Sequence, residues 1–241
     1  MAQRAAIVTG ASSGIGLAIA HMLGQEGYAL TVAARRPEKL AAAAQGLRDA
    51  GYDVSDVAGP LSEEEQVKAV VAAHRERYGR LDVLVNNAGV GIGALVAEIE
   101  TKRLDMQLDV NLRTIVLFYR ESIELLRAAA AEHGTAQVVN TSSISGKRGQ
   151  AWLSVYSATK AAVVGWTEAM NKELSPEGIK SCALCPAFVD TPMTDFAKAG
   201  GVAAEAMIRP EDIAESVRLL LKVSSACLIP EIIFERPGDA L

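Results

Sequence analysis

The sequence predicts an α/β fold: a doubly wound parallel sheet with helices on both faces, three αβα layers in a single domain. Two observations carry that reading. Short runs rich in β-branched residues alternate with longer amphipathic runs along the 241 residues. The short runs, such as Val83-Leu84-Val85, are apolar throughout instead of at every second residue, as strands buried on both faces must be. No internal repeat, low-complexity tract or Pro/Ser-rich linker interrupts the pattern, so residues 1–241 are expected to form one domain with a sizeable core.

The candidate strands, in order, are Ala5–Thr9, Ala29–Ala34, Leu81–Asn86, Gln137–Thr141, Ile179–Leu184 and Leu228–Phe234. Helices fill the intervals, and several ends are readable. Ser62 and Glu65 have capping-box spacing, in which each side chain satisfies the other's free backbone N–H. Gly27, Gly51 and Gly79 are expected helix stops. Pro37 and Pro210 suit a first helical turn, and Pro176 follows a long helix that it cannot continue.

Composition removes several function classes. Half the residues are apolar and the formal net charge is −5, which excludes a disordered chain. Acidic residues outnumber basic ones 29 to 24, which disfavours nucleic acid as a partner. Residues 5–25 are uncharged and follow Arg4, but Thr9-Gly10-Ala11-Ser12-Ser13-Gly14 in their middle suits neither a signal peptide nor a membrane span. No membrane partner is expected. Cys182, Cys185 and Cys227 are too few for a disulfide framework, which points to a reducing cytoplasm. Cys182 and Cys185 lie three apart on an expected strand and so face opposite ways, and the histidines His21, His74 and His133 are distant in sequence. No metal site is expected, and His21 and His74 read as helix-surface residues.

Immediately after the first strand, Thr9-Gly10-Ala11-Ser12-Ser13-Gly14-Ile15-Gly16 opens a helix. Glycines there allow a tight turn and let backbone amides approach a pyrophosphate at the positive helix end. The second strand ends at Ala33-Ala34-Arg35-Arg36 without an acid. An acidic side chain at that place would accept from a ribose 2′-hydroxyl, whereas arginine offers a planar fork to a 2′-phosphate. NADP(H) is therefore expected over NAD(H). The glycines at 10, 14 and 16 resemble the TGxxxGxG turn of the short-chain dehydrogenase/reductase superfamily, a Rossmann fold, in its compact single-domain branch.

Tyr156-Ser157-Ala158-Thr159-Lys160 places tyrosine and lysine four apart on one helix face. Tyrosine alone ionises at about 10, and a nearby ammonium favours the phenolate and lowers that value. The other motifs take their roles from the resemblance. Ser143, 13 residues before Tyr156, matches the serine that hydrogen-bonds the substrate oxygen. Asn111, in Asp109-Val110-Asn111-Leu112, matches the asparagine that holds a water leading from the lysine to solvent. Asn86-Asn87-Ala88-Gly89 resembles the motif lining the cofactor ribose, and the segment from Cys185 to Met193 resembles PGxVxT, which meets the nicotinamide amide. The resemblance spans Ala5 to about Met193.

It implies catalysis by Asn111, Ser143, Tyr156 and Lys160. It further implies cofactor binding by Gly10, Ser12, Ser13, Gly14, Ile15, Gly16, Arg35, Arg36, Leu61, Asn87, Ala88, Gly89, Tyr156, Lys160, Pro186, Val189 and Thr191. Hydride then passes between nicotinamide and a carbonyl or carbinol carbon, with Tyr156 as the acid and Ser143 steadying the alkoxide. Family members commonly pair through the helices carrying Asn111 and Tyr156, so a homodimer or homotetramer is expected, with Leu117 and Phe118 spent there or in the core.

Three positions depart from the family pattern. Pro60-Leu61-Ser62 stands where an Asp-Val or Asp-Leu pair usually meets adenine, and proline supplies neither carboxylate nor N–H. Asp56-Val57 could take that role only by sliding out of place. Ala187 replaces the glycine of the PG pair, and Ser13 stands where some NADP enzymes have arginine.

The residues expected to meet substrate are Ser143, Ser145, Trp152, Leu153, Tyr156, Phe188, Met193 and Phe196, with Val90-Gly91-Ile92 and Met207 nearby. Residues 192–207 read as a lid. The set is mostly apolar, so the expected substrate is a small hydrophobic ketone or alcohol. Two other readings stay open: a 3-oxoacyl thioester reductase, and a non-catalytic NADP(H) sensor, against which the intact acid–base group argues.

Overall fold

Seven parallel strands are laid in the order β3-β2-β1-β4-β5-β6-β7. The computed structural model describes residues 3–238, and residues 1–2 and 239–241 of the expected domain lie outside the described residues. The strands are β1 (Ala5–Thr9), β2 (Ala29–Ala34), β3 (Val54–Ala58), β4 (Val83–Asn86), β5 (Ala136–Thr141), β6 (Ile179–Pro186) and β7 (Glu231–Phe234). Every pair in the sheet is parallel. The order reverses between β1 and β4, which opens a crevice at the carboxyl ends of the strands where α/β folds bind ligands.

The strand period of two builds two cores. Ala6, Val8, Leu30 and Val32 face α1 (Gly14–Gln25), α2 (Pro37–Asp49) and α8 (Pro210–Lys222), where Ile19, Leu23, Leu40 and Val217 meet them. Ile7, Leu84 and Val138 face the other way, onto α3 (Glu64–Tyr78), α5 (Thr114–His133) and α6 (Ser154–Leu174), through Val67, Val70, Phe118 and Val163. Two short helices, α4 (Thr101–Leu108) and α7 (Asp195–Ala199), stand at the carboxyl edge.

Gly79 ends α3 with φ +67, and Gly27 and Gly51 follow the ends of α1 and α2 with φ +82 and +88. Pro37 and Pro210 sit in the first turns of α2 and α8, and Pro176 follows α6. Other expectations need correction. β3 lies outside the six strands read from the sequence, because Ser55 and Asp56 interrupt its apolar pattern on a half-exposed sheet edge. Ser62 and Glu65 form no capping box; α3 starts at Glu64 with Glu63 as N-cap and no capping side chain. His74 is fully buried, not on a surface, because it occupies the stripe Val67-Val70-Val71-His74 that faces the sheet. Its ring bonds the Thr31 hydroxyl at 2.8 Å and the Arg80 carbonyl at 2.7 Å. His21 is half-buried with its ring edge-on to Tyr52. Leu117 and Phe118 are core residues.

A buried ionic cluster closes the amino-terminal end of the sheet. Arg80 donates twice to Asp82, at 2.8 Å each, and also to Glu132 and His133. The Ala5 amide donates to Asp82 at 2.9 Å, which ties β1 to the start of β4. No helix among the described residues is long and apolar enough to cross a membrane.

Candidate active site

The glycine turn follows β1 because its residues allow nothing bulkier. A methyl group on Gly16 would lie 2.5 Å from the Gly10 carbonyl oxygen, and one on Gly10 would lie 3.0 Å from the Ala88 backbone. Gly10 and Gly14 also have φ of +67 and +56, the left-handed region that favours glycine. Thr9 anchors the turn: its hydroxyl donates to the Val85 carbonyl and accepts from the Asn87 and Ala88 amides at 2.9 and 3.0 Å. The turn at 10–16 and the Asn-Asn-Ala-Gly segment at 86–89 are thereby one unit.

That unit fits a dinucleotide. Ser13 is the N-cap of α1 and makes no side-chain cap, so the helix's first N–H groups stay available to an anion. Arg35 and Arg36, at the end of β2, are exposed, and neither guanidinium has an ion-pair partner among the described residues. Most other arginines are paired, so this pair is the uncommitted positive charge beside the turn. Thr191 packs against Gly14, close enough that a methyl there would lie 2.8 Å from its Cγ2. Pro186 and Val189 are buried at the end of β6 and just beyond it.

Ser143, Tyr156, Lys160 and Asn111 converge on the same crevice from β5, α6 and the turn between α4 and α5. The Lys160 ammonium donates to the Thr141 carbonyl at 2.8 Å and lies 5.6 Å from the centre of the Tyr156 ring. The Ser143 hydroxyl accepts from the Ser145 amide at 3.1 Å, so the buried Ser145 aims Ser143 through its backbone. Asn111 lies in a π-turn, Asp109–Arg113. Its amide brackets Val90, accepting from the N–H at 2.8 Å and donating to the carbonyl at 2.9 Å, and it also reaches Thr159 at 3.1 Å.

The titration behaviour differs from the expected lysine effect. Burial raises the Tyr156 pKa, opposed by the Ser143 hydrogen bond, and burial lowers Lys160 to about 8. Burial dominates at Tyr156, and the Ser143 hydroxyl, not the ammonium 5.6 Å from the ring centre, is the group that opposes it. Burial also pushes the Cys182 and Cys185 thiols up, to about 12 and about 11, and they belong to different packing clusters. No group of three metal-ligating side chains occurs among the described residues.

Trp152, Phe196 and Phe188 form an aromatic wall, with ring centres 6.4 and 6.0 Å apart in edge-to-face contact. Trp152 is half-exposed and holds φ +68, which is strained for a bulky residue, while its carbonyl accepts from Ala94 at 2.8 Å. Its indole lies over Gly93, where a methyl would come within 2.3 Å of the ring. Met193 is exposed, Leu153 is the N-cap of α6, and Met207 is buried. The segment 192–207 returns to the fold through a bridge between Val189 and Ile208. Gly91 faces the Tyr156 ring, 3.6 Å from where its own methyl would sit.

Sequence reasoning passed over three positioning residues. The Ser142 hydroxyl donates to the Lys160 carbonyl at 2.7 Å, Thr141 holds the ammonium, and Thr9 clamps the glycine turn. The run Thr141-Ser142-Ser143 was the available signal, since three consecutive hydroxyls at a buried strand end need partners.

The sequence profile described as short chain dehydrogenase matches residues 4–200. A provisionally named ketoacyl reductase of Streptomyces coelicolor is 42% identical over 189 residues, covering 78% of this chain and 71% of that protein. A variant of actinorhodin polyketide ketoreductase, solved with NADPH, superposes with a TM-score of 0.86 at 33% identity and 97% coverage of both chains. An alcohol dehydrogenase from the archaeon Thermococcus sibiricus, complexed with 5-hydroxy-NADP, superposes with a TM-score of 0.87 at 28% identity, covering 99% of this chain and 98% of the other.

Proposed function

This chain belongs to the short-chain dehydrogenase family, and from that premise we propose that it is an NADP(H)-dependent oxidoreductase that interconverts a small hydrophobic ketone and its alcohol. The observation that carries this reading is the convergence of Ser143, Tyr156 and Lys160 beside a glycine turn flanked by two uncommitted arginines. The solved relatives that hold NADPH or an NADP analogue support the same cofactor.

When bound, the nicotinamide cofactor would supply hydride to the carbonyl carbon or take it from the carbinol carbon. Tyr156 gives the proton to the substrate oxygen, and its raised pKa keeps it protonated for that purpose. Ser143, aimed by Ser145, donates a hydrogen bond to the same oxygen as its charge grows. Lys160 and Asn111 hold the tyrosine's surroundings, with Asn111 fixing Val90 at the edge of the crevice. Gly10, Gly14, Gly16 and the α1 amides hold the pyrophosphate, and Arg35 and Arg36 hold the 2′-phosphate. The wall of Trp152, Phe188 and Phe196 receives the apolar part of the substrate, with residues 192–207 as its lid.

A second reading, reduction of 3-oxoacyl thioesters, is favoured by the ketoacyl reductase name of the Streptomyces coelicolor relative. Oxidation of NADPH, with NADH in parallel, over alkyl ketones, aryl ketones and 3-oxoacyl thioesters separates the two. Turnover with NADPH that disappears in Tyr156→Phe is the expected result. Binding of NADPH with no turnover on any class would favour a sensor. We further place the protein in the cytoplasm as a homodimer or homotetramer, which cell fractionation and light scattering test.

A further inference from the structure

We propose that the nucleotide cradle of this chain reads the 2′-phosphate and ignores the base, so that a 6-oxo purine serves as well as adenine. The inference rests on the NADP(H) reading above and concerns the segment Gly59-Pro60-Leu61-Ser62.

The sheet order fixes where a base must go. The acid–base group stands over β5 and α6, the pyrophosphate turn follows β1, and Arg35 and Arg36 end β2. A dinucleotide laid across these ends meets β3 last, and the Gly59 amide, bonded to the Ala34 carbonyl at 3.1 Å, puts the segment directly beside Arg35. Adenine is told from other purines by its 6-amino group, a donor that requires an acceptor.

The segment has little to offer that donor. Pro60 has no polar side chain and no N–H. The Leu61 side chain is turned into the core beside Val67 and Ile115. Four of the five carbonyls from 58 to 62 already accept a hydrogen bond: Ala58 from Gln66, Pro60 from the Glu63 amide, Leu61 from Thr114 and Ser62 from Arg113. The nearest carboxylate on β3, Asp56, is fixed opposite Val32 by the strand register and paired with Arg48, so it cannot slide into the role. Asp105 and Asp109 line an open cleft of about 460 Å³ together with Ser62, Lys102, Met106 and Val110. What remains at the segment is the Gly59 carbonyl, a neutral acceptor with no charge to strengthen a contact to the amino group, and the unpartnered Leu61 N–H, which suits N1 of adenine or O6 of hypoxanthine alike.

The test compares NADP⁺ with its deamino analogue, in which hypoxanthine replaces adenine, by isothermal titration calorimetry on the whole protein. The dissociation constants are expected to agree within about threefold, since a charge-assisted contact to the amino group is missing and that contact is typically worth about tenfold or more. A preference for adenine above about tenfold would overturn the inference. Pro60→Asp, which returns a carboxylate to the segment, is expected to gain that preference; an unchanged ratio in folded Pro60→Asp overturns the assignment to position 60. Asp109→Asn is expected to leave the ratio unchanged, and a shift there reassigns base reading to the cleft and overturns it as well. The wild-type comparison stands even where a variant does not fold. Absence of NADP⁺ binding would remove the cofactor reading itself, whereas tight NADP⁺ with weak deamino-NADP⁺ would remove this inference alone.

Discussion

At the amino-terminal end of the sheet, Arg80, Asp82 and His74 are buried with their polar atoms committed to protein partners; at the carboxyl end, Lys160 is buried and Tyr156 half-buried, with almost none committed. Asp82 takes two bonds from Arg80 and one from Ala5, and both ring nitrogens of His74 are bonded. Lys160 makes one bond, to Thr141, and Tyr156 has Ser143 alone. Both ends carry the desolvation cost of buried titratable groups, but only one recovers it inside the protein. The first end is scaffold. The second holds its hydrogen-bonding capacity in reserve for a ligand.

The sharpest way to break this comparison is to remove a group from each end. Tyr156→Phe is expected to lower turnover by about 10²- to 10⁴-fold while leaving the thermal midpoint nearly unchanged. A melting point that fell with activity would make the tyrosine part of the scaffold. Asp82→Ala should do the reverse, destabilising by about 3–5 kcal/mol in urea unfolding because Arg80 stays buried without its partner. The folded fraction should keep its turnover number.

Titration sharpens the contrast at the scaffold end. Burial holds His74 at about 4, below its ordinary 6.5, so the fold favours the neutral ring. Its contribution is complete above pH 6.5 and is lost as pH falls from there toward 4, amounting to about 3 kcal/mol at most. Urea unfolding at pH 7 and pH 4.5 should show the loss in wild type and a smaller one in His74→Gln. The smallest effect belongs to Ser142→Ala, which removes the bond to the Lys160 carbonyl. It should cost about 1 kcal/mol of stability, with a modest fall in kcat at constant KM.

The same contrast explains what was legible in the sequence. The strands and the glycine turn could be read because β-branched runs and glycine spacing are local signals, and the residues of Tyr156-Ser157-Ala158-Thr159-Lys160 share a helix face by simple periodicity. β3 escaped because an edge strand tolerates Ser55 and Asp56. His74 was misread for a different reason. Its identity said surface while its position, three and four residues beyond Val71 and Val70, said core, and its partners Thr31 and Arg80 arrive only with the tertiary fold. The direction of the Tyr156 shift was illegible too, since it depends on how far both tyrosine and lysine are withdrawn from water. Identity and spacing reveal which groups meet; solvation decides what state they are in.

The π-turn at Asp109–Arg113 carries a consequence for how this chain could change over time. Such a turn holds one residue more than an α-turn, and each residue advances a helix by about 100°. Everything after it, the whole of α5, is therefore set about 100° round from the phase it would have as a plain continuation of α4. That offset brings Phe118 and Leu126 onto the sheet while leaving the Asn111 side chain free to bracket Val90. Losing a single residue between 109 and 113 would smooth the backbone into an ordinary helix and rotate the core face of α5 out of place. Apart from Asn111, whose side chain brackets Val90, this stretch should accept substitutions yet reject any change in length.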